Sequence, residues 1–335
     1  MLKSVRIFLI ITLGIISVAQ AQNTPVHEQY MFDFMLVNPS FAGISEVSNV
    51  KLVHREQWVG IEAPSTSFLM FKHRLKGRAG GIGGYVYSDS NGPNSYQGAQ
   101  IAWSWQAMLS VKRYDKLILS FGMAVRGMFH SLDESEFTRD LYDPLVDYNK
   151  KVSFNPNASA GLLISYRQHF LGASFENLIP WSDKMYNMQV EPINYVVMNL
   201  HTGHIIPIQK RYQFRPSVLY KTNFHGLNQL DINFKFHMLS GKAIRSVYLK
   251  YPNDVWVGLS YNQTLDWLNS SPLSLSPAFG FSIHAISFMY LYDLGLTSFQ
   301  SCNYGSHQIS IGIRLFRDQY VNWGKHDIPS FNYDF

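Results

Sequence analysis

The chain has 335 residues, a formal net charge of +5 and a single cysteine, Cys302. Charged residues make up 15%, against about 25% in an ordinary globular domain, and aromatic residues also reach 15%. One cysteine excludes an intramolecular disulfide framework and a cysteine-rich zinc site, and Lys and Arg are too dispersed for a nucleic-acid-binding stripe.

The N-terminus reads as an export signal. Lys3 and Arg6 precede an apolar stretch from Ile7 to Val18, and Ala19-Gln20-Ala21 supplies the small-x-small pattern of a cleavage site. Residues 1–21 are therefore expected to be a signal peptide. The absence of a cysteine after the site argues against a lipoprotein. No later run approaches the roughly 20 apolar residues that a spanning helix needs. Residues 22–46, with Asn38-Pro39 and Ala42-Gly43, show no alternation; they are expected to be an irregular segment, a possible plug folded into or across what the strands enclose.

From 47 to 316 the dominant pattern is a period of two, the mark of strands. Ala99, Ile101, Trp103, Trp105, Ala107 and Leu109 alternate with Gly98, Gln100, Ala102, Ser104 and Gln106. Leu117 to Phe129 repeats the pattern, with Ser120, Gly122, Ala124, Arg126 and His130 on its other face. Leu230, Ile232, Phe234, Phe236 and Met238 alternate with Asp231, Asn233, Lys235 and His237; Ile309, Ile311, Ile313 and Leu315 alternate with Ser310, Gly312 and Arg314. Candidate strands begin near Ser48, Ser67, Gly80, Tyr96, Leu117, Asn157, Phe170, Asn194, Tyr212, Gln229, Ala243, Val255, Pro277, Ala285 and His307. One of these is in excess, because single-chain bacterial barrels have an even number of strands.

Dyads of this kind build either a soluble sandwich or a membrane barrel. Strands of 10 residues or more, polar rows rich in Gly, Ser and Ala, and the length of the chain favour the second. The expectation is all-β: a transmembrane antiparallel outer-membrane β-barrel of about 14 strands, multi-pass, its apolar rows against outer-membrane lipid. Trp58, Tyr85, Tyr87, Phe129, Tyr166, Tyr220, Tyr248, Trp256, Tyr290 and Tyr292 are expected near the interfaces. Asp89 to Asn94, Arg113 to Lys116 and Tyr251 to Asp254 read as turns. Ser131–Pro156, Asn177–Pro192 and Gln263–Ser276 read as long loops on the outer side, and 317–335 as a C-terminal tail.

Residues that carry chemistry are sparse. There is no P-loop, no dinucleotide-binding turn leading into a helix and no His-Glu-x-x-His. Gly80-Gly81-Ile82-Gly83-Gly84 opens a strand, which suits close packing or a bend rather than phosphate binding. His201 and His204 fall on opposite faces of one strand. Ser306-His307 beside Asp293 is the one cluster in which a hydrolase would be sought, and no acid pair suits glycoside chemistry. No catalytic, cofactor-binding or metal residue is assigned, and no cofactor is expected. Arg126, Asp231, Lys235 and Arg314 are expected to be lumen-facing polar residues that pair with one another.

An ordered set of short motifs gives the chain a family likeness. Gln29-Tyr30-Met31-Phe32 is followed by Val37-Asn38-Pro39-Ser40-Phe41-Ala42-Gly43, then by His54-Arg55-Glu56-Gln57-Trp58-Val59-Gly60-Ile61 and Ala63-Pro64-Ser65-Thr66. Asp89 with Gly92-Pro93, Leu119 to Gly122, Pro156 to Leu162, Arg215-Pro216-Ser217, Gln229 to Asn233, Trp256 to Tyr261 and Gly305 to Ile309 continue it. The set resembles the PorP/SprF family of type IX secretion membrane proteins. The likeness implies a 14-stranded outer-membrane barrel of Bacteroidota. Such a barrel works with other type IX secretion and gliding-motility components and anchors, displays or helps export a large cell-surface adhesin by binding its C-terminal domain. It marks Asn38, Pro39, Ala42, Gly43, Arg55, Gln57, Trp58, Gly60 and Pro64 as family-motif positions. Leu315, where the family closes with an aromatic residue, and the tail after it are departures. A passive porin is the alternative function; an enzyme is not expected.

Overall fold

The computed structural model describes residues 30–31, 33–45, 47–61, 63–75, 80–112, 115–135, 137, 148–182, 193–209, 211–239, 253–265, 270–283 and 285–317. The expected signal peptide, the tail beyond Arg317, Tyr248 and the strand expected near Ala243 lie outside these residues.

Fourteen barrel strands run through the described residues: β1 Val47–Glu56, β2 Ser65–Arg74, β3 Gly80–Asn91, β4 Asn94–Lys112, β5 Asp115–Asp133, β6 Lys150–Tyr166 and β7 His169–Glu176. They continue with β8 Val197–His204, resumed after Ile205 as Ile206–Ile208, then β9 Tyr212–Thr222, β10 Asn228–Leu239, β11 Asp254–Thr264, β12 Pro272–Ile283, β13 Ile286–Gly295 and β14 Ser306–Arg317. Each strand pairs antiparallel with the next, and β1 pairs with β14 from Val47↔Arg317 to Glu56↔His307. The sheet therefore closes with no free edge, the condition for strands to cross a bilayer with their backbone polar groups satisfied.

Side-chain alternation separates two environments. On β4, Ile101, Trp103, Trp105 and Leu109 face outward, Ile101 with 69% exposure, while Gln100, Ala102, Ser104 and Gln106 are buried. On β10 the outward Phe234, Phe236 and Met238 alternate with buried Asp231, Asn233, Lys235 and His237. A polar interior inside an apolar exterior is the inverse of a soluble sandwich, and hydrocarbon is the solvent that stabilises it.

Connections differ at the two ends. At the loop end, segments 57–64, 92–93, 134–149, 177–196, 223–227, 265–271 and 296–305 join the strands. At the terminus end, where β1 starts and β14 stops, the connections are 75–79, 113–114, 167–168, 209–211, 240–253 and 284–285. The three long loops fall at one end, but 240–253 places one long connection at the other.

The structure shortens two of the expected loops. Ser131 to Asp133 belongs to β5 and Lys150 to Pro156 to β6, paired from Asp133↔Lys150 to Gly127↔Pro156. Their polar residues suggested a loop, yet Asn155 and Asn157 are inward residues that alternate with outward Val152 and Phe154. Likewise β11 runs to Thr264 and β12 begins at Pro272. The expected strand start at Asn194 belongs instead to a short ladder, Trp181–Ser182 with Ile193–Asn194, and β8 begins at Val197. Tyr85, Tyr87 and Trp256 are buried in the lumen rather than set in an interfacial girdle.

Candidate partner-binding site in the lumen

Residues 30–31 and 33–45 lie within the barrel, and all of them are buried. Two single turns of 3-10 helix, Phe34–Leu36 and Pro39–Phe41, compact the segment. Each is opened by the side chain that its sequence supplies. Asp33 accepts from the Met35 amide at 3.0 Å, and Asn38 accepts from the Ser40 amide at 2.9 Å, with Pro39 suited to the position after the cap. The apolar side of the segment packs on itself and on the wall: Phe34 stacks on Phe41 at 5.3 Å and meets Phe170 edge-on at 5.4 Å.

Carbonyl groups that the irregular backbone leaves unpaired are met by inward side chains. Ser174 donates to the Val37 carbonyl at 2.5 Å, Ser104 to that of Ala42, Gln106 to that of Gly43 at 3.2 Å and Lys235 to that of Met31 at 2.8 Å. Asn38 donates to the Leu162 carbonyl at 3.1 Å and lies 3.2 Å from Nε2 of His201. Asn233 donates to the Tyr30 hydroxyl at 2.6 Å. Paired this way, the segment avoids the cost of about 1–3 kcal/mol that each buried unsatisfied polar group would carry.

Wall glycines make room for this backbone. A Cβ on Gly81 would overlap Gly43, and one on Gly122 would overlap Pro39 and Ser40. Gly43 also has φ of +70°, which a side chain would strain. The glycine-rich start of β3 therefore serves close approach of backbone to backbone.

Charge fixes the segment in one place. Asp33 sits 2.5 Å from Lys72 and 3.3 Å from Lys51. Burial pushes its carboxyl up, but the two ammonium groups outweigh burial and hold it below the ordinary carboxylate value. Burial raises the Tyr30 hydroxyl well above its usual value, with nearby Asp231 adding to the effect.

Above the segment, toward the loop end, is a cavity of about 680 Å³. Tyr30 and Met31 line its inner part. Gln57, Trp58, Leu227, Thr264 and Thr297, from four different loop-end connections or the strand ends beside them, line its rim. Its walls carry Asn199, Lys221, Ser260, Asn262, Ser276 and Gln308 among others. A cavity of this size is within the roughly 300–1,000 Å³ of ordinary ligand sites.

The motif positions divide between these two levels. Asn38, Pro39, Ala42 and Gly43 belong to the lumenal segment. Arg55 reaches Asp293 at 3.3 Å in the cavity wall, and Asp293 also accepts from Ser276 at 2.7 Å. The Gln57 amide donates to the Pro64 carbonyl at 3.0 Å and closes the first loop. The Trp58 amide donates to Ser306 Oγ at 3.1 Å; Val59 and Gly305, and Tyr304 and Val59, are joined by backbone hydrogen bonds. Gly60 has φ of +104° and lies against the Tyr304 ring. Loop 57–64 and loop 296–305 thus form one ledge over the mouth.

Of the expected lumenal charges, Arg126 donates to Asn177 at 2.6 Å, Asp231 accepts from Gln229 at 2.8 Å and Lys235 also lies 4.7 Å above the Trp256 ring. Arg314 is half-buried near the terminus end. The contacts named here are with other neighbours rather than among the four. Ser306 and His307 sit on opposite faces: Ser306 is taken up by Trp58, and His307 lies 2.7 Å from the Tyr290 hydroxyl. The structure does not bring those two side chains together. His201 is lumenal, whereas His204 stacks on His169 outside at 3.6 Å.

A model described as "Type IX secretion system membrane protein PorP/SprF" matches residues 19–313. The chain belongs to this family. The matched range takes in the lumenal segment, the ledge and the whole cavity, so this PorP/SprF barrel carries all of them in its family-matched part. It is an outer-membrane protein. No curated protein matches the chain. Among solved structures it is similar to the "CymD monoaromatic hydrocarbon channel", at 10% identity and TM-score 0.47, over 85% of this chain and 93% of that one. It is also similar to a Pseudomonas aeruginosa FadL homologue, at 9% identity and TM-score 0.38, over 81% and 89% respectively. A "Bacterial polysaccharide outer membrane secretin" gives 10% identity and TM-score 0.38, over 81% and 99%.

Proposed function

We propose that this PorP/SprF barrel anchors, displays or helps export a large cell-surface adhesin by holding the adhesin's C-terminal domain at the loop end. It works there with other type IX secretion and gliding components of a Bacteroidota envelope. The observation that carries this reading is the buried course of residues 30–45 across the lumen. The segment fills part of the interior, and the recess above it has Gln57, Trp58, Leu227, Thr264 and Thr297 at its loop-end rim. A passive porin would need the opposite: a lumen lined by polar rows and empty of its own chain. In this reading residues 22–46 are a plug, 47–316 the barrel and the loop end the outer surface.

The test replaces residues 138–147 with a short Gly-Ser linker, which leaves β5 and β6 intact. The adhesin is expected in the culture medium while the barrel stays heat-modifiable in the outer membrane. Adhesin retained on cells at the normal level would remove that loop from the dock.

A further inference from the structure

We infer that the recess above the lumenal segment holds the chain's own first residues, 22–29, threaded from Tyr30 to the mouth between the loops. The inference goes beyond the adhesin-holding role and does not depend on it.

Followed back from Asp33, the segment climbs toward the recess. Asp33 meets Lys72, two residues from the terminus-side end of β2. Lys235, which donates to the Met31 carbonyl, stands four residues from the terminus-side end of β10. Asn233, which donates to the Tyr30 hydroxyl, stands six from that end. Lys221, 5.9 Å from the Tyr30 ring, is one residue from the loop-side end of β9. Tyr30 and Met31 then line the inner part of the recess. A chain leaving Tyr30 in the same sense enters open volume, away from the packed rings of Phe34, Phe41 and Phe170.

Cleavage after Ala21, which the N-terminal pattern predicts, leaves eight residues ahead of Tyr30: Gln22-Asn23-Thr24-Pro25-Val26-His27-Glu28-Gln29. Extended, they span at most about 26–29 Å. From the level of Asn233, the loop-side end of β10 at Asn228 is five residues away, or about 17 Å along the strand. The eight residues therefore reach the mouth, with Gln22 to Thr24 at or beyond the rim. The walls suit them. Glu28, two positions ahead of Tyr30, passes at the level of the Lys221 ammonium. Gln229, Asn262 and Thr264, half-buried in the lining, offer amide and hydroxyl groups to a backbone that has no ladder of its own. Pro25 brings no N–H that would need a partner. A recess filled in this way is closed to any partner until the chain's own end withdraws from it.

The experiment places Asn23→Cys in the full barrel, purified in detergent and oxidised at high dilution. Cys302, exposed on the loop-end ledge, is the natural thiol within reach of the mouth. The intact mass is expected to lack residues 1–21. The introduced thiol should form an intramolecular disulfide with Cys302, read as loss of both polyethylene-glycol maleimide additions after denaturation. In a Cys302→Ser background it should not couple to Gln168→Cys at the terminus end. Coupling at the terminus end, at both ends alike or at neither overturns the inference, as does retention of residues 1–21. A second comparison needs no crosslink. Asn262→Cys with Cys302→Ser is expected to react with a bulky maleimide about tenfold faster once residues 23–28 are deleted, because a covered group reacts only when its cover opens. Equal rates with and without those residues overturn the inference.

Discussion

Asp33 and Lys72 meet at 2.5 Å inside the barrel, each side chain only 2% exposed, with Lys51 completing the contact at 3.3 Å. The carboxylate comes from the lumenal segment and both ammonium groups from the wall, on β1 and β2. This contact holds the segment to the first two strands of the sheet. Asp33→Asn removes the carboxylate charge that both wall ammonium groups meet, and breaking a buried pair costs about 3–5 kcal/mol. The barrel, closed by fourteen ladders, should survive, and the segment should undock. Chymotrypsin, for which Phe34, Leu36 and Phe41 are sites, is expected to cut the variant within the segment and to spare wild type.

Acid should have the same effect, but only strong acid. The carboxyl of Asp33 is held below 3.8 in the docked state. Its contribution is therefore complete above the unfolded value of about 3.9 and is lost as pH falls through the lower docked value. Protection from an acid-tolerant protease such as pepsin is expected to be the same at pH 5 and pH 4 and to fail below that. Undocking centred between pH 5 and 6 would show that a different group controls the contact.

Gly122→Leu tests the close approach independently of charge. Its side chain would enter the backbone of Pro39 and Ser40. Overpacking typically costs about 1–3 kcal/mol, and the segment, with no ladder of its own, should be the part that moves. The expected result is chymotryptic cleavage of the segment together with normal heat-modifiable mobility of the barrel.

Val125, 69% exposed near the middle of β5, tests the outer face. Arg at a bilayer midplane costs about 2–4 kcal/mol. Val125→Arg is expected to lower folding stability in lipid vesicles by that amount in a urea titration. No change would mean that this face does not meet hydrocarbon.

Much of the barrel was legible because alternation with period two needs no tertiary information. The β10 row from Leu230 to Met238 and the β14 row from Ile309 to Leu315 are assigned to the correct faces by parity alone. Parity also contains the answer that residue type obscured. Tyr85 and Tyr87 share the phase of Asp89, and Trp256 shares that of Asp254 and Ser260, so all three aromatics point inward. Polar composition misled at Ser131 and at Ser153 to Asn157, because a lumen-facing row resembles a loop when its outward partners are few. The Asp33 contact had no local signal. It arises only when the lumenal segment is laid against β1 and β2.

The most direct measurement is conductance of the purified mature chain in planar bilayers, compared with a variant lacking residues 30–45. Wild type is expected to show no steady current, and the deletion, with Asp33→Asn as a milder version, to open one. Equal steady currents from wild type and deletion would contradict a lumen closed by its own N-terminal segment and would return the barrel to the class of passive pores.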